Sequence, residues 1–404
     1  MVGKSIPLIR FPEFSGEWTK KKLSDIGYFY YGKSAPKWSL SKDAKTPCVR
    51  YGELYSTFGE VVDKIHSYTN IDPKNLKFSK GGEILVPRVG EDPLDFANCS
   101  YLPFKDVAIG EMISVFNTEE NGLYLTYYIN GCLKKGLAKM VEGGSVSNLY
   151  FRYLEPLKIN IPSLPEQQKI ASFLTDVDNK ITILTKKKEL LEQYKKGVMQ
   201  KIFSQELRFK DENGNEFPEW KDKRLGLIGS IISGLTYSPN DINKNGVLVL
   251  RSSNVKKRLI TLNDNVFVNV EEGKFNPVEL NDILICVRNG SKRLIGKNAI
   301  IKEEHIGLAF GAFMTVYRSK YNQFLFHFFD SQHYKKEVHK NLGATINSIN
   351  GSDLKKFKVP FPCIEEQNKI STFLSDIDLK IESLAINIKK AKSFKKGLLQ
   401  KMFI

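Results

Sequence analysis

The chain has 404 residues, of which 41% are hydrophobic and 11% aromatic, so it can form two to four domains with packed cores and is not disordered by composition. Its formal net charge is +16, and both parts of the chain contribute: residues before Ser204 carry 29 Lys and Arg against 23 Asp and Glu, and the rest carries 32 against 22. A basic globular protein indicates a polyanionic partner, most often nucleic acid, with a generally Lys-rich composition as the alternative.

The cysteine and histidine patterns predict no metal site. The cysteines lie far apart without a C-x-x-C pair, which also argues against a disulfide-stapled secreted domain; they are Cys48, Cys99, Cys132, Cys286 and Cys363. His327, His333 and His339 are six residues apart, which does not stack them on one helix face. The N-terminus lacks the apolar core of a signal peptide and no apolar run is long enough to cross a bilayer, so we expect a cytoplasmic protein with no membrane partner.

The first part of the chain predicts an irregular α+β globule with much strand, because short runs rich in Val, Ile, Phe and Tyr alternate with turn residues. EILVPRV from Glu83 and YLTYYI from Tyr124 are strand candidates. Residues 27–34, GYFYYGKS, fit the phosphate-loop pattern G-x-x-x-x-G-K-[ST]. A nucleotide site needs small residues inside the loop and a helix after it. Four aromatic residues occupy the loop positions that should be small, and Pro36 disfavours a helix directly after them. We therefore interpret this segment as a structural turn.

Residues 163–203 predict a long helix. Its apolar residues recur every seven positions, which makes a narrow seam that needs a partner helix; they are Ile170, Val177, Leu184, Leu191 and Val198. Burial of the seam against the helix's own globule is the alternative. Ser163 and Glu166 fit an S-x-x-E capping box. The Lys runs 186–188 and 195–196 are predicted to be solvated or to contact phosphate.

The pattern then repeats. Residues 362–403 align with 162–203 without a gap, and 18 of the 42 positions are identical. Upstream, the segment from Phe11 matches the segment from Phe217, which pairs Trp18 with Trp220. The interiors, 32–106 and 234–307, share little beyond strand-like runs such as VLVLRSS, DILICVR and NAIIK. An Asn-Gly step at Asn213 predicts a hairpin between the halves. The repeated segments together indicate that the chain consists of two tandem halves.

Basic, amide and hydroxyl side chains in the predicted loops of the interiors are the candidates for DNA contact. Arg and Lys neutralise phosphate or bond guanine O6 and N7, and Asn and Ser bond base edges. The candidates are Lys33, Arg50, Arg88, Arg251, Asn254, Lys256, Lys257, Arg258, Arg288, Asn289, Ser291, Lys292 and Arg293. For each residue taken singly, a solvated surface charge or polar group is the alternative. The sequence contains no H-E-x-x-H, G-x-S-x-G, [DN]-P-P-[YF] or βαβ-framed G-x-G-x-x-G, so we predict no catalytic site.

Two variable globules, each followed by a long helix that opens with P-x-x-x-E-Q, resemble the specificity subunit of type I restriction–modification enzymes. The K-K-G-x-x-Q-K-x-F segments at Lys195 and Lys395 belong to the same pattern. The other residues that carry the resemblance are Pro162, Glu166, Gln167, Ile170, Phe173, Leu174, Asp176 and Asp178, with their counterparts Pro362, Glu366, Gln367, Ile370, Phe373, Leu374, Asp376 and Asp378.

The resemblance implies an α+β fold of two tandem half-repeats. The first target recognition domain would span positions 1–155, and the first spacer helix would span 156–204. A connecting hairpin and the second target recognition domain would follow at 205–355, and the second spacer helix at 356–404. The two helices would pair as an antiparallel coiled coil that fixes the distance between two half-sites.

The resemblance also implies a non-catalytic DNA reader. Each globule would read one half of a split, asymmetric site in double-stranded DNA. The chain would dock two methylation subunits, and restriction subunits would complete the complex. We expect no cofactor on this chain, with S-adenosylmethionine, ATP and Mg on the partner subunits. The predicted docking and spacer residues are Glu166, Gln167, Ile170, Phe173, Leu174, Glu366, Gln367, Ile370, Phe373 and Leu374.

Two other classes stay open from the sequence. One is a non-specific nucleic-acid scaffold held together by its coiled coil, whose binding would ignore DNA sequence and vanish with salt. The other is an NTPase that uses residues 27–34, which would bind nucleotide as the purified chain.

Overall fold

The computed structural model describes residues 6–271, 273–342 and 347–403. The chain divides into two compact units: unit 1 comprises Met1–Thr185 and Ile386–Ile404, and unit 2 comprises Lys186–Ala385. Each unit therefore contains one globule, the beginning of the long helix that follows this globule, and the end of the other long helix. The domain boundaries predicted from the sequence follow chain segments and remain a prediction.

Unit 1 contains two four-stranded sheets. Its strands are β1 (Thr19–Lys22), β2 (Gly27–Tyr31), β3 (Thr46–Val49), β4 (Ser67–Thr69), β5 (Phe78–Lys80), β6 (Glu83–Pro87), β7 (Val89–Gly90), β8 (Ser100–Leu102), β9 (Lys105–Ile109), β10 (Ile113–Thr118), β11 (Glu142–Gly143), β12 (Ser147–Asn148) and β13 (Lys158–Ile161). Its helices are α1 (Leu23–Ile26), α2 (Tyr51–Ser56), α3 (Gly122–Tyr128), α4 (Lys134–Leu137), α5 (Phe151–Leu154) and the beginning of α6 (Leu164–Phe203). One sheet has the antiparallel order β2-β10-β6-β8, and the other has the order β4-β3-β9-β5 with β3 parallel to β9.

Unit 2 contains one four-stranded sheet and one three-stranded sheet. Its strands are β14 (Lys221–Arg224), β15 (Ser230–Ser233), β16 (Ile242–Leu250), β17 (Val255–Lys256), β18 (Leu259–Ile260), β19 (Val266–Val268), β20 (Ile283–Cys286), β21 (Asn298–Ile300), β22 (Ala309–Phe310), β23 (Met314–Arg318) and β24 (Lys358–Phe361). Its helices are α7 (Leu225–Ile228), α8 (Asn322–Phe328), α9 (Gln332–Lys340), α10 (Gly351–Lys356) and the beginning of α11 (Ile364–Met402). The four-stranded sheet has the order β15-β23-β20-β21, and the three-stranded sheet has the order β19-β16-β22.

The interiors of the two units share a topology that their sequences do not reveal. The order β15-β23-β20-β21 in unit 2 is that of β2-β10-β6-β8 in unit 1, again with antiparallel neighbours. The parallel pair also recurs, with Cys48 opposite Ala108 in β3 and β9 and Val249 opposite Ala309 in β16 and β22. The interiors thus share a fold although their sequences share little, because a buried strand needs only apolar residues and tolerates many sequences.

The run YLTYYI is helical, which corrects the strand prediction. It lies in α3, where the side chain of Asn121 caps the helix by accepting a hydrogen bond from the Tyr124 amide at 2.8 Å. Tyr124, Leu125 and Tyr127 are all buried. A helix that is buried on every side shows no amphipathic period, so an aromatic run of this length cannot be distinguished from a buried strand.

Residues 27–31 of the phosphate-loop-like segment form strand β2 and not a turn, and the glycines of the segment have a packing role. A Cβ on Gly27 would meet the carbonyl oxygen of Asn117, and one on Gly32 would meet that of Gly110. In unit 2, a Cβ on Gly229 would meet the Tyr317 ring, and one on Gly234 would meet the Gly311 carbonyl. The glycine frame that both halves share therefore permits close approach of neighbouring segments.

The long helices pair antiparallel within each unit. In unit 1, Ile170 and Leu174 near the start of α6 share a core with Leu398 and Met402 near the end of α11, and further along α6 Asp178 binds Lys395 Nζ at 2.7 Å. Unit 2 mirrors this: Ile370 and Leu374 share a core with Met199 and Ile202, and Asp378 binds Lys195 at 2.6 Å. Lys195 is buried, so its predicted solvent or phosphate contact was wrong.

Candidate nucleic-acid interface

Unit 1 gathers its three predicted DNA-contact residues around one turn. This turn, residues 110–112, joins β9 to β10, and Lys33, Arg50 and Arg88 follow β2, β3 and β6 where those strands end beside it. The Lys33 amide donates to the carbonyl of Ile109 at 2.8 Å, and the Arg88 amide donates to that of Met112 at 3.1 Å. Next to Arg50, the Val49 carbonyl accepts from the Gly110 amide at 2.9 Å. Residues far apart in sequence thus form one basic edge, which we call edge 1 (Lys33, Arg50, Arg88 and residues 110–112).

The side chains of edge 1 differ in exposure. Lys33 is exposed, whereas Arg50 and Arg88 are half-buried. The Arg88 guanidinium lies 4.8 Å from the centre of the Tyr31 ring, and its Nη2 is 3.4 Å from Met112 Sδ. Sequence reasoning did not select Trp38, which is 80% exposed on the short helix Lys37–Ser39 after Lys33. No local sequence pattern indicated that its side chain is exposed.

Unit 2 forms the equivalent edge, edge 2, around residues 311–313 between β22 and β23. The Leu235 amide donates to the Phe310 carbonyl at 2.7 Å, so Leu235 occupies the place that Lys33 has in unit 1. The Gly311 amide donates to the Leu250 carbonyl beside Arg251, and the Arg288 amide donates to the Phe313 carbonyl at 3.1 Å. Arg251 therefore takes the place of Arg50. Arg288 lies one residue beyond the place of Arg88, because Cys286 pairs with Met314 as Pro87 pairs with Ile113.

A polar loop extends edge 2. Arg288, Ser291, Lys292 and Arg293 are exposed on it, and Asn289 Nδ2 donates to Ser252 Oγ at 3.0 Å, which ties the loop to the segment after β16. Exposed Lys256 and Lys257 lie at the β17–β18 hairpin. Lys297, which sequence reasoning missed, donates to the Ser252 carbonyl at 3.1 Å, and burial lowers its pKa. Phe313, also missed, is 58% exposed at the turn itself.

Asn254 and Arg258 are structural, which corrects their assignment as DNA contacts. Asn254 is fully buried, its Oδ1 accepts from the Arg251 amide, and its Nδ2 donates to the carbonyls of Thr261 and Asp264. Arg258 packs on the Phe326 ring at 3.8 Å and donates to Asn298 Oδ1 at 2.7 Å, and burial lowers its pKa. Arg251 is partly committed as well, because it forms an ion pair with Asp264 at 3.1 Å.

The residues predicted for subunit docking contact their own unit instead. Arg10 binds both carboxylate oxygens of Glu166 at 2.7 Å, and Trp18 Nε1 donates to the same group at 3.4 Å. Both oxygens of Glu166 are thus engaged by the preceding segment, which replaces the predicted capping box. Glu366 makes the same contacts, with Arg208 at 3.2 and 2.7 Å and with Trp220 at 2.7 Å. We call these two groups the Glu166 clamp and the Glu366 clamp.

The neighbouring motif residues reinforce the clamps. Gln167 and Gln367 donate to the carbonyls of Pro162 and Pro362 at 3.0 and 2.8 Å. Phe173 and Phe373 each pack edge-on against a phenylalanine, Phe11 and Phe209 respectively, at 5.6 Å between ring centres. The remaining four, Ile170, Leu174, Ile370 and Leu374, are buried in the unit cores. A partner could reach most of these side chains only if the core opened.

The clamps also correct the alignment of the two halves upstream of the long helices. Arg10-Phe11 corresponds to Arg208-Phe209, so the counterpart of Phe11 is Phe209 and not Phe217. Additional residues in unit 2 hide this match: the Asp211 amide donates to the Asn215 carbonyl at 2.9 Å, which closes the hairpin predicted at Asn213. The shared Arg-Phe dipeptide was the available signal, but the insertion shifted it out of register.

Within 6–271, 273–342 and 347–403, no group of three His, Cys, Asp or Glu side chains is arranged to hold a metal ion. In the same residues, no helix combines the length and the apolar character that crossing a bilayer requires.

Comparison with known proteins identifies relatives of one kind. The family model described as "Type I restriction modification DNA specificity domain" matches residues 15–193 and again 218–391. The MjaVIII specificity subunit of Methanocaldococcus jannaschii is 31% identical over 274 residues, which cover 64% of each chain. The putative MjaX specificity subunit of the same organism is 30% identical over 271 residues, which cover 64% of this chain and 62% of that one. The match thus spans slightly less than two thirds of these relatives.

Two solved structures share the fold along nearly the whole chain. The S subunit of a type I restriction–modification system from M. genitalium has a TM-score of 0.65 at 16% identity and covers 99% of both chains. A chain from a study of complex assembly and conformational transition of the type I R-M system has a TM-score of 0.57 at 17% identity, covering 96% of this chain and 97% of that one.

Proposed function

Because the chain belongs to the type I restriction–modification DNA specificity family, which matches it twice, we propose that it is a DNA sequence-recognition subunit in which each unit reads one half of a split site. The observation that carries the proposal is the repeated basic edge. Edge 1 and edge 2 are built on the same sheet topology by the same main-chain contacts, and each presents arginines after the same two strands.

Different residues of the edges suit different parts of DNA. Exposed Lys33, Lys256, Lys257, Lys292 and Arg293 are flexible cations suited to phosphate, which positions a protein without reading sequence. Removing one phosphate contact would make binding less dependent on salt: the slope of the logarithm of the binding constant against the logarithm of the salt concentration would become shallower by about 0.9. Asn289 and Ser291, beside Arg288, have polar groups that suit base edges.

We propose that the chain itself is non-catalytic and works with partners. Two methylation subunits would carry S-adenosylmethionine and methylate adenine, and restriction subunits would supply ATP- and Mg-dependent activity. The long helices would set the spacing of the half-sites, and partners would dock on their exposed surfaces, since the Glu and Gln side chains of the P-x-x-x-E-Q segments are buried. The strand conformation of residues 27–31 disfavours an NTPase.

Methylome mapping tests this function. The full chain is co-expressed with its cognate methylation subunit in a host without adenine methylation, and modified adenines are mapped across the genome. We expect a split, asymmetric motif that disappears when this chain is omitted. Methylation without sequence preference would favour the non-specific scaffold, and the same motif without this chain would refute the proposal.

A further inference from the structure

Arg88 and Arg288 follow corresponding strands, one in each unit. Arg88 is the first residue after β6, which lies between β10 and β8, and Arg288 is the second residue after β20, which lies between β23 and β21. In both units, the carboxyl end of this strand meets the turn that defines the basic edge. The repeat thus brings an arginine to the same edge of the sheet twice, although the surrounding sequences differ.

The main chain of both arginines is fixed on two sides. The Arg88 amide donates to Met112 at 3.1 Å, and its carbonyl accepts from Leu149 at 2.8 Å. The Arg288 amide donates to Phe313 at 3.1 Å, and Arg288 also forms a bridge with Ser348. Each side chain therefore leaves the sheet from a defined point.

The side chains rest on flat or polarisable groups. The Arg88 guanidinium lies over Tyr31 and touches Met112, and that of Arg288 lies 5.6 Å from the centre of the Phe313 ring. Met112 and Phe313 are the equivalent last residues of the two turns. Because stacking restricts the rotamers of a guanidinium, less freedom is lost when it binds.

Neither guanidinium has an acidic partner. Across the part of the chain that the structure describes, Arg88 and Arg288 form no ion pair, whereas Arg251 pairs with Asp264 and Arg258 with Asp330. The Arg88 Nε is buried without a hydrogen-bond partner among the described residues. An oriented guanidinium with unused donors matches a pair of acceptors in one plane.

We propose that Arg88 and Arg288 are specificity-determining residues of units 1 and 2, each donating two hydrogen bonds to O6 and N7 of a guanine in one half-site. This inference rests on the proposed function and adds to it a base and a reader for each half. The neighbouring exposed cations Lys33, Lys292 and Arg293 position the DNA, and Arg251 supports the edge through Asp264.

Full-length variants in complex with the methylation subunit test the inference by methylome mapping. In Arg88→Ala, preference for guanine at one position of one half-site falls by about 5- to 150-fold, the range for one bidentate pair. The other half-site stays unchanged and serves as an internal control for folding and assembly. Arg288→Ala gives the mirror result. The matched controls Lys33→Ala and Lys292→Ala weaken methylation at all sites equally and leave the motif unchanged.

The possible failures are distinguishable. If the wild-type complex methylates no specific motif, the proposed function fails, and this inference with it. If the wild-type motif is split but lacks guanine in a half-site, or if Arg88→Ala leaves it unchanged, only this inference is overturned. Should Arg88→Ala abolish methylation, Arg88→Lys decides: a relaxed position supports bidentate readout, and an unchanged motif overturns it.

Discussion

Removal of Arg10 is expected to loosen unit 1 selectively, because Glu166 is 1% exposed and Arg10 supplies the only cation that binds it in the described residues. In Arg10→Ala, the carboxylate keeps only the hydrogen bond from Trp18 Nε1 at 3.4 Å. Breaking a buried ion pair by removing one partner costs about 3–5 kcal/mol. Since the Trp18 contact remains, we expect the free energy of unfolding to fall by the lower end of this range, about 3 kcal/mol.

Hydrogen exchange followed by mass spectrometry can measure this loss in one unit at a time. A loss of about 3 kcal/mol corresponds to roughly 100-fold faster exchange in peptides that cover β1 and the start of α6. Peptides around Trp220 in unit 2 should not change, because Arg208 and Glu366 are intact. Arg208→Ala should reverse the pattern.

Two further variants separate the buried charge from other effects. Lys74→Ala removes an exposed pair with Asp72, in which the side chains are 77% and 49% exposed, and should cost less than about 1 kcal/mol. Adding Glu166→Gln to Arg10→Ala should recover part of the loss, because no charge then remains buried. An Arg10→Ala variant as stable as Lys74→Ala, or a double variant with purely additive losses, would refute this reasoning.

Three other predictions follow from the helices and from β2. Lys195→Ala should lower the free energy of unfolding by only about 1–2 kcal/mol, because its partner Asp378 is 40% exposed. The charge-swapped double variant, Lys195→Asp with Asp378→Lys, should recover the lost stability in thermal unfolding. No recovery would contradict a direct ion pair. His327 is buried near Lys195, Arg258 and Asp378, and burial holds its pKa well below the ordinary value. As pH falls, His327 is therefore protonated in the unfolded state at a higher pH than in the folded state. The free energy of unfolding should fall as pH drops below about 6.5, by at most about 1.4 kcal/mol per pH unit. His327→Tyr, which copies Tyr127 of unit 1, should flatten this dependence of the melting temperature on pH; an unchanged slope would contradict it. Finally, Lys33→Ala should leave any ATP dependence of the assembled complex intact, and loss of ATP binding by this chain in the variant would restore the NTPase hypothesis.

The long helices were predictable because their signal is repetitive. Apolar residues at seven-residue spacing, repeated at a constant offset, located α6 and α11 from residue types alone. The sequence could not show that Lys195 and Lys395, which interrupt this spacing, are ion-paired across the helices. That requires the register of the antiparallel pair, which places Lys195 opposite Asp378 and Lys395 opposite Asp178.

The candidate edges were only partly predictable. Lys33, Arg50 and Arg88 were selected by charge, but their convergence on residues 110–112 depends on sheet order, which the variable interiors conceal. The charge of a residue also did not show whether its side chain lies on the surface or in the interior. Arg258 was selected beside Lys256 and Lys257, yet it packs on Phe326, because its partners come from strands and helices distant in sequence.

Exchange of one interior tests most directly whether each unit reads DNA by itself. Residues 32–147 are replaced by the same segment of a family member with a different motif, and modified adenines are mapped with the methylation subunit present. We expect one half of the motif to change to that of the donor, while the half read by residues 235–347 stays the same. A change in both halves together would contradict independent reading and would make the two edges one composite surface.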